Sequence, residues 1–437
     1  MTLTRRHTLS LTALGLLGAA AGCATGSPKK SAKQATEGRE LTGTVTIWAW
    51  DVAATALKRL GPQFTALHPK VTIEVTDIGY DNAYDKMAIG LKSGSGLADV
   101  LTVETDHMQT YAAQFPTGFL DLTSVASSMK ADFDPSKWSA SSDRTGKLFS
   151  LPWDSGTAGL FYRTDLFATA GIDPRSLATW DDLITAGTAI LARTGAKLLV
   201  SDVSNGAGPV PMIMQQQGAG YFNASGDITL DSSATLAAID IVKRLNDAGL
   251  ILNVKGWDAL VSANKDGKVA CAPSGVWWAG TLATEMPELS GKFGVMPLPA
   301  VAGGGGRTAN NGGSTLAVPS QSKNPDAAWA FVRFCLADVG NQVSMMKAEG
   351  LFPAYLPALR DPFFDAPQKY FGDATIYRMF REQTPKIPTI TYTDDYAKAG
   401  DLLDSVVPGV LLRGKDPKAE LKGAAAQLAG QTKRKLA

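Results

Sequence analysis

Five short stretches supply planar polar side chains, aromatic rings or both: Trp50-Asp51, Glu104-Thr105-Asp106, Trp153-Asp154, Trp277-Trp278 and Asn310-Asn311-Gly312-Gly313-Ser314. Carboxylates and amides exchange hydrogen bonds in a plane, and an aromatic face covers C–H groups. That chemistry is a non-covalent grip on a small solute rich in hydroxyls. Backbone amides ahead of a strand, as at Asn311, Gly313 and Ser314, can donate as well. The expected contact set is therefore Trp50, Asp51, Asp106, Trp153, Asp154, Trp277, Trp278, Asn311, Gly313 and Ser314.

Several members have a plainer alternative. Trp48 and Trp50 alternate along one strand, so one of them is expected in the core, with Trp48 favoured for that place. Trp277 and Trp278 cannot both point into a cleft from one strand. Asp51 and Asp106 can each serve as a cap for the chain that follows. Asp181 and Asp182 read as helix-start charges. Phe352, in Phe352-Pro353-Ala354-Tyr355, suits a core as well as a cleft, and His107 reads as an incidental loop residue.

Bond-breaking chemistry finds little to use. The chain has three histidines, and apart from His7 near the start only His68 and His107 remain, too few for a multi-histidine metal centre. The HExxH, GxSxG, GxxxxGK[ST] and GxGxxG patterns do not occur. No metal or cofactor is expected. A pair of carboxylates flanking a glycosidic bond is set by space and not by spacing, so a secreted carbohydrate-active enzyme stays open as an alternative.

The elements that would position these residues follow from periodicity. Thr44–Trp50 alternates as a strand, 53–67 has apolar residues at helical spacing and stops at His68-Pro69, and Val71–Val75 is a second strand. A helix over 83–91 and a strand over 99–103 complete a strand–helix alternation, which implies a parallel or mixed sheet with helices on its faces. The pattern restarts with extended runs at 148–153 and 159–162, and Thr179 is placed to cap a helix entered by Asp181 and Asp182. Further strands are expected at 198–201, 269–271, 293–297 and 314–318, with helices at 233–248 and 325–336. Gly303–Gly306 is a break and a candidate crossover.

The beginning of the chain reads as an address. Arg5 and Arg6 precede the short apolar stretch from Leu9 to Ala21, and Ala20-Ala21-Gly22-Cys23 ends in a cysteine. A span needs roughly 20 apolar residues, so this is an export signal and not a membrane helix. Thr4 to Leu9 also looks like a twin-arginine signal. The polar stretch 24–39 cannot bury enough surface to order itself and reads as a tether. Cys271 and Cys335 sit in apolar surroundings that suit core packing, with their pairing undetermined. Removing Arg5 and Arg6 from 42 basic residues leaves the rest close to neutral against 41 acidic ones, which argues against nucleic acid. The body from about Leu41 onward exceeds what one core organises, so two lobes are expected.

Several segments, in order along the whole body, resemble the carbohydrate-type extracellular solute-binding proteins of ABC importers, family 1, the group that includes maltose-binding protein. They are Thr44–Trp50; Phe64-Thr-Ala-Leu-His68-Pro69-Lys-Val71; Gly96-Leu-Ala-Asp99-Val100; Gly146 to Pro152 through Leu160 to Ile172 and Thr179 to Leu183; Gly267 to Trp277; and Gly313 to Phe331. Arg163 stands where the family often has asparagine, and Ala98 where it has proline. The resemblance implies an α/β, two-lobe periplasmic-binding-protein-like fold of type II, each lobe a mixed sheet flanked by helices. By that analogy lobe 1 is 41–151 plus 299–340 and lobe 2 is 152–298 plus 341–437. The Ala20 to Cys23 site resembles a lipobox, which implies a signal peptide over 1–22, lipidation of Cys23, and a tether to residue 40. The implied role is a non-enzymatic, monomeric, exported protein at the outer face of the cytoplasmic membrane. It would capture a mono- or oligosaccharide between its lobes and deliver it to ABC permease subunits. Another polar solute, such as a phosphorylated polyol, would want cations at the cleft, for which Arg163 and Arg307 are the candidates.

Overall fold

The protein is described from a computed structural model covering residues 40–204, 206–303 and 305–437, without the side chains of Asp81 and Asn82. The export signal, Cys23 and most of the tether lie outside the described residues. Among those described, no helix is long and apolar enough to cross a membrane.

Among the described residues, ten strands form three sheets. The largest contains β1 (Gly43–Ala49), β2 (Val71–Asp77), β3 (Val100–Glu104), β4 (Ser150–Pro152) and β10 (Ser314–Ala317), in the order β2-β1-β3-β10-β4. β1 runs parallel to β2 and β3, while β10 is antiparallel to both β3 and β4. The second sheet has β5 (Ala158–Arg163) antiparallel between β8 (Cys271–Gly275) and β9 (Phe293–Met296). A short parallel pair, β6 (Leu199–Ser201) and β7 (Ile251–Asn253), completes the set. β1 buries Val45, Ile47 and Ala49 on one face, and the helix Asp51–Leu67 covers them with Leu57, Leu60 and Phe64 at helical spacing. The helix Trp180–Thr194 starts with a complete capping box. Thr179 Oγ1 accepts from the Asp182 amide, and Asp182 Oδ2 accepts from the Thr179 amide at 2.8 Å.

The apolar residues gather into separate cores on either side of a crossing. One joins β1 and the helix Pro325–Leu336 through Phe64, Trp153, Trp329 and Phe331. Another joins Leu160, Trp180, Ile213, Leu245 and Val407. A third holds Phe161, Trp278, Phe352 and Phe380. Cys335 and Cys271 are free, buried, and in the first and second of these cores. Burial pushes both thiols well above the usual cysteine range, as expected of cysteines used as small apolar residues.

Three segments cross between the large sheet and the β5 sheet side by side. Ser155 N donates to Phe352 O at 2.8 Å, Ala354 N to Trp153 O at 3.0 Å, and Asn311 N to Gly156 O at 2.7 Å. Gly156 is required there because a Cβ would lie 1.9 Å from Asn311 O. The return passage into the large sheet is at 310–313 and not at 299. Val301 and Ala309 still pack on the core around Leu160, while Met345, Leu351 and Ala354 pack with Phe64 and Trp153. The Gly303–Gly306 run is therefore not the crossover. Gly306 N is tied to Gln216 O at 2.7 Å, within the second lobe.

Candidate functional site

The carboxyl end of β3 and the first turn of the helix Thr105–Gln114 carry the densest group of polar side chains. Glu104 Oε2 accepts from the hydroxyls of Tyr84 (2.5 Å) and Tyr80 (3.1 Å), both on the helix Tyr80–Ser93. Asp106 Oδ1 lies 2.8 Å from His107 Nδ1, and the His107 ring stacks on Tyr84 at 4.1 Å and 17°. Trp50 closes the aromatic group, edge-on to Tyr80 at 5.7 Å. His107 is thus a helical residue with an ion-pair partner, and not an incidental loop residue. Glu104, Asp106 and His107 bring three ligand-type atoms within 4.8 Å of one another, and each is already engaged by its neighbours as just described.

Crowding of charge sets the titration of this group. Burial, reinforced by the Asp106 charge, pushes the Glu104 carboxyl up to about 7. Burial would lower His107, but the Asp106 carboxylate, with Glu104 behind it, raises it to about 9. Burial also works against Asp106, yet the His107 cation holds it below the usual carboxylate range. His107 is protonated more strongly in the folded chain than at its ordinary 6.5, so its contribution is full below that pH and lost as pH rises through 9. Glu104, raised from 4.5, acts in the same direction and loses its contribution as pH rises through 7. After discounting for partial exposure, His107 should contribute about 1–2 kcal/mol. The melting temperature of the unliganded protein is expected to fall by a few degrees between about pH 6.5 and 9.5, and His107→Gln should flatten that slope. A slope unchanged in the variant would show that His107 does not couple to folding.

Facing this group stands a tyrosine cluster from the other lobe. Tyr396 packs on Tyr221 at 4.7 Å and on Tyr392 at 4.6 Å, and the helix Tyr396–Arg413 packs against the helix Thr105–Gln114. Burial, with the Asp106 charge adding to it, raises all three phenols. Asp404, on the same helix, accepts from Ala207 N at 2.7 Å and is pushed up to about 6 by burial, with Asp401 and Asp106 adding. Arg144 approaches Asp394 across the same gap at 3.8 Å. Carboxylates and an imidazolium on one wall therefore oppose phenols and further carboxylates on the other.

The residues singled out in the sequence divide between this cleft and its scaffold. Asp106 is 47% exposed beside His107. Asp51 is exposed at the first position of its helix with φ +45°, a left-handed conformation uncommon for aspartate, and no side-chain cap closes that helix end. Trp50 is buried to 8% and Trp48 half-buried in one small core. The expected division between them fails because residues two apart on a strand share a face, and β1 ends at Ala49.

Trp277 is half-buried, packs on Trp257 at 5.9 Å and donates its indole N–H to Asn311 O at 2.8 Å. Trp278 and Trp153 are 1% and 0% exposed inside cores, so neither presents a surface to a solute. Asp154 is 3% exposed and accepts from Ser314 N at 2.7 Å, making it a support of the crossing. Asn311 and Gly313 belong to that crossing too, their carbonyls held by Trp277 and Thr105. The two arginines that a phosphorylated solute would need are also spent. Arg163 forks onto Asp165, and Arg307 donates to the carbonyls of Leu298, Leu177 and Pro297. Tyr80, Tyr84, Lys137, Tyr221, Tyr392, Tyr396 and Asp404 were not singled out in the sequence. Only the i, i+4 spacing of Tyr80 and Tyr84 marks a shared helix face.

Residues 49–342 match the family model described as bacterial extracellular solute-binding protein. A lactose-binding protein of Rhizobium radiobacter is 30% identical over 361 residues, covering 80% of this chain and 84% of the relative. An arabinooligosaccharide-binding protein of Bacillus subtilis (strain 168) is 27% identical over 369 residues, covering 82% and 85%. Among solved structures, the GacH receptor of Streptomyces glaucescens superposes with a TM-score of 0.79 at 23% identity, covering 91% of this chain and 100% of that one. A binding protein from B. animalis subsp. lactis, in complex with beta-1,6-galactobiose, also gives 0.79 at 22% identity, covering 90% and 98%. The overall α/β fold is the one these structures share, and the family match over residues 49–342 makes this chain a member of the bacterial extracellular solute-binding protein family.

Proposed function

We propose that this protein captures a mono- or oligosaccharide between its lobes and hands it to the permease of an ABC importer, without altering the sugar. The observation that carries this reading is the Asp106–His107 pair, held half-exposed at the end of β3 among the rings of Trp50, Tyr80 and Tyr84 and facing the Tyr221, Tyr392 and Tyr396 cluster. An ionised, oriented carboxylate accepts sugar hydroxyls, and aromatic edges and faces cover the C–H surfaces. The names of the relatives, which bind lactose and arabinooligosaccharides, support the same class of solute. Glu104, the second carboxylate, has its Oε2 taken by two tyrosine hydroxyls, an arrangement suited to shaping a wall and not to protonating a leaving group. Cys23 is the lipid attachment point in this reading, and a monomer works at the outer face of the membrane on its tether. Lobe closure over bound sugar raises the closed population, which the permease would recognise.

Tryptophan fluorescence of the signal-free protein, titrated with lactose, arabino-oligosaccharides, galactobiose and maltose, tests the proposal. Saturable shifts with the sugar recovered intact are expected, because Trp277 and Trp257 lie half-buried near the crossing. Cleaved sugar would identify an enzyme instead. Silence across the panel would remove sugars as the solute class.

A further inference from the structure

Lys137 has no place in the sugar-contact set, yet it occupies a singular position. It lies on the short helix Pro135–Ala140, whose first turn is capped by Asp134, and only 3% of it is exposed. Its Nζ donates to Gly312 O at 2.8 Å. A buried ammonium without partners would give up its proton. Burial does lower this one, but Asp134, Asp154, Asp106 and Glu104 surround it with negative charge and hold the proton in place.

The segment it grips is built to pivot. Gly312 and Gly313 have φ of +79° and +99°, where glycine alone is at ease. A Cβ on Gly313 would lie 2.5 Å from Lys137 Nζ and 2.8 Å from Asp154 O, so the close approach also demands glycine. The carbonyls of this crossing are held from several elements. Trp277 Nε1 takes Asn311 O at 2.8 Å, Asn310 Nδ2 shares Gly312 O with Lys137 at 2.8 Å, and Thr105 N and Oγ1 take Gly313 O at 2.9 and 2.8 Å. Lys137 is the one charged donor on these three carbonyls among the described residues, and a charge-assisted bond is roughly twice as strong as a neutral one. The other two crossing segments carry no adjacent pair of positive-φ glycines.

We propose that Lys137 is a positioning residue for solute capture: by pinning the Gly312 carbonyl it sets the angle between the lobes, without touching the solute. The proposal rests on the reading of the cleft as a closing solute site. Thr105, between Glu104 and Asp106 of the cleft wall, bonds the neighbouring Gly313 carbonyl at 2.8 Å, so the pinned segment is tied directly to that wall. Loosening it spreads the unliganded protein over wider lobe angles. The competent fraction falls and the observed affinity falls with it.

The test uses electron–electron distance measurements between spin labels at the exposed positions 58 and 422, one on each lobe, in the otherwise intact signal-free protein. Lys137→Met keeps the volume and removes the donor. Without any sugar, its interlobe distance distribution should be broader than that of the parent. For any sugar that binds the parent, observed affinity should fall roughly ten-fold through slower association, with dissociation little changed. Gly312→Ala strains the same pivot from an exposed position and should also displace the distribution, which keeps the test alive if Lys137→Met does not fold. A lysine that merely stabilises the fold would lower the melting temperature and leave distances and association at parental values in both variants; that result overturns the proposal. Because the distances are read without solute, a failure to find a binding sugar would sink the functional reading and still leave the pin answered.

Discussion

Asp106→Ala is expected to weaken sugar capture by roughly a hundred-fold or more, the cost of losing two hydrogen bonds to a charged acceptor. The carboxylate stays ionised because the His107 cation, 2.8 Å away, holds it below the usual range against the penalty of burial. It is also oriented, since His107 is itself fixed by stacking on Tyr84. An acceptor already aimed and charged loses little entropy when a hydroxyl arrives. Isothermal titration with whichever sugar shifts the fluorescence reads the effect directly. The melting temperature should move by only a few degrees, because Asp106 is 47% exposed and its ion pair is partly solvated. Affinity within three-fold of the parent would remove Asp106 from the site and shift attention to Asp404 and Asp401 on the opposing helix.

The second large effect concerns stability. Trp153→Ala should cost about 3–5 kcal/mol, a drop of roughly 5 °C in melting temperature, because the ring is 0% exposed in the core shared with Phe64 and Trp329. Its indole nitrogen has no hydrogen-bond partner, so packing alone holds it. Trp153→Phe forfeits volume but no hydrogen bond, and sugar affinity should stay within two-fold. Thermal melts followed by circular dichroism, with titrations on the same samples, separate the two roles. A phenylalanine variant of normal stability that no longer binds sugar would place Trp153 in contact with the solute after all.

Much of the scaffold was legible along the chain because it depends on local patterns. The alternation of Val45, Ile47 and Ala49, the helical spacing of Leu57, Leu60 and Phe64, and the Thr179–Asp182 capping box act within a few residues of themselves. The strands expected at 198–201, 293–297 and 314–318 are β6, β9 and β10 to within a residue or so. Family-like segments in a fixed order over the whole body are enough to suggest the family.

The site was less legible. Asp106 and Trp277 keep part of their surface exposed, but Trp153, Asp154 and Trp278 share the same residue types and the same strand-end placement, and they are buried. Residue type states what a side chain can bond. Which side of the crossing it faces depends on where β4, β10 and the segment around Phe352 pair, and those pairings join positions about 160 to 200 residues apart. Lys137 carries no local signal because its partner, Gly312, is brought beside it only when the large sheet is assembled. The sequence by itself determined the elements, their order and the family, since short-range sterics and hydrophobic period suffice for those. The tertiary structure decided which aromatic and acidic residues stay exposed and which brace the crossing, because burial and long-range hydrogen bonds exist only in the assembled fold.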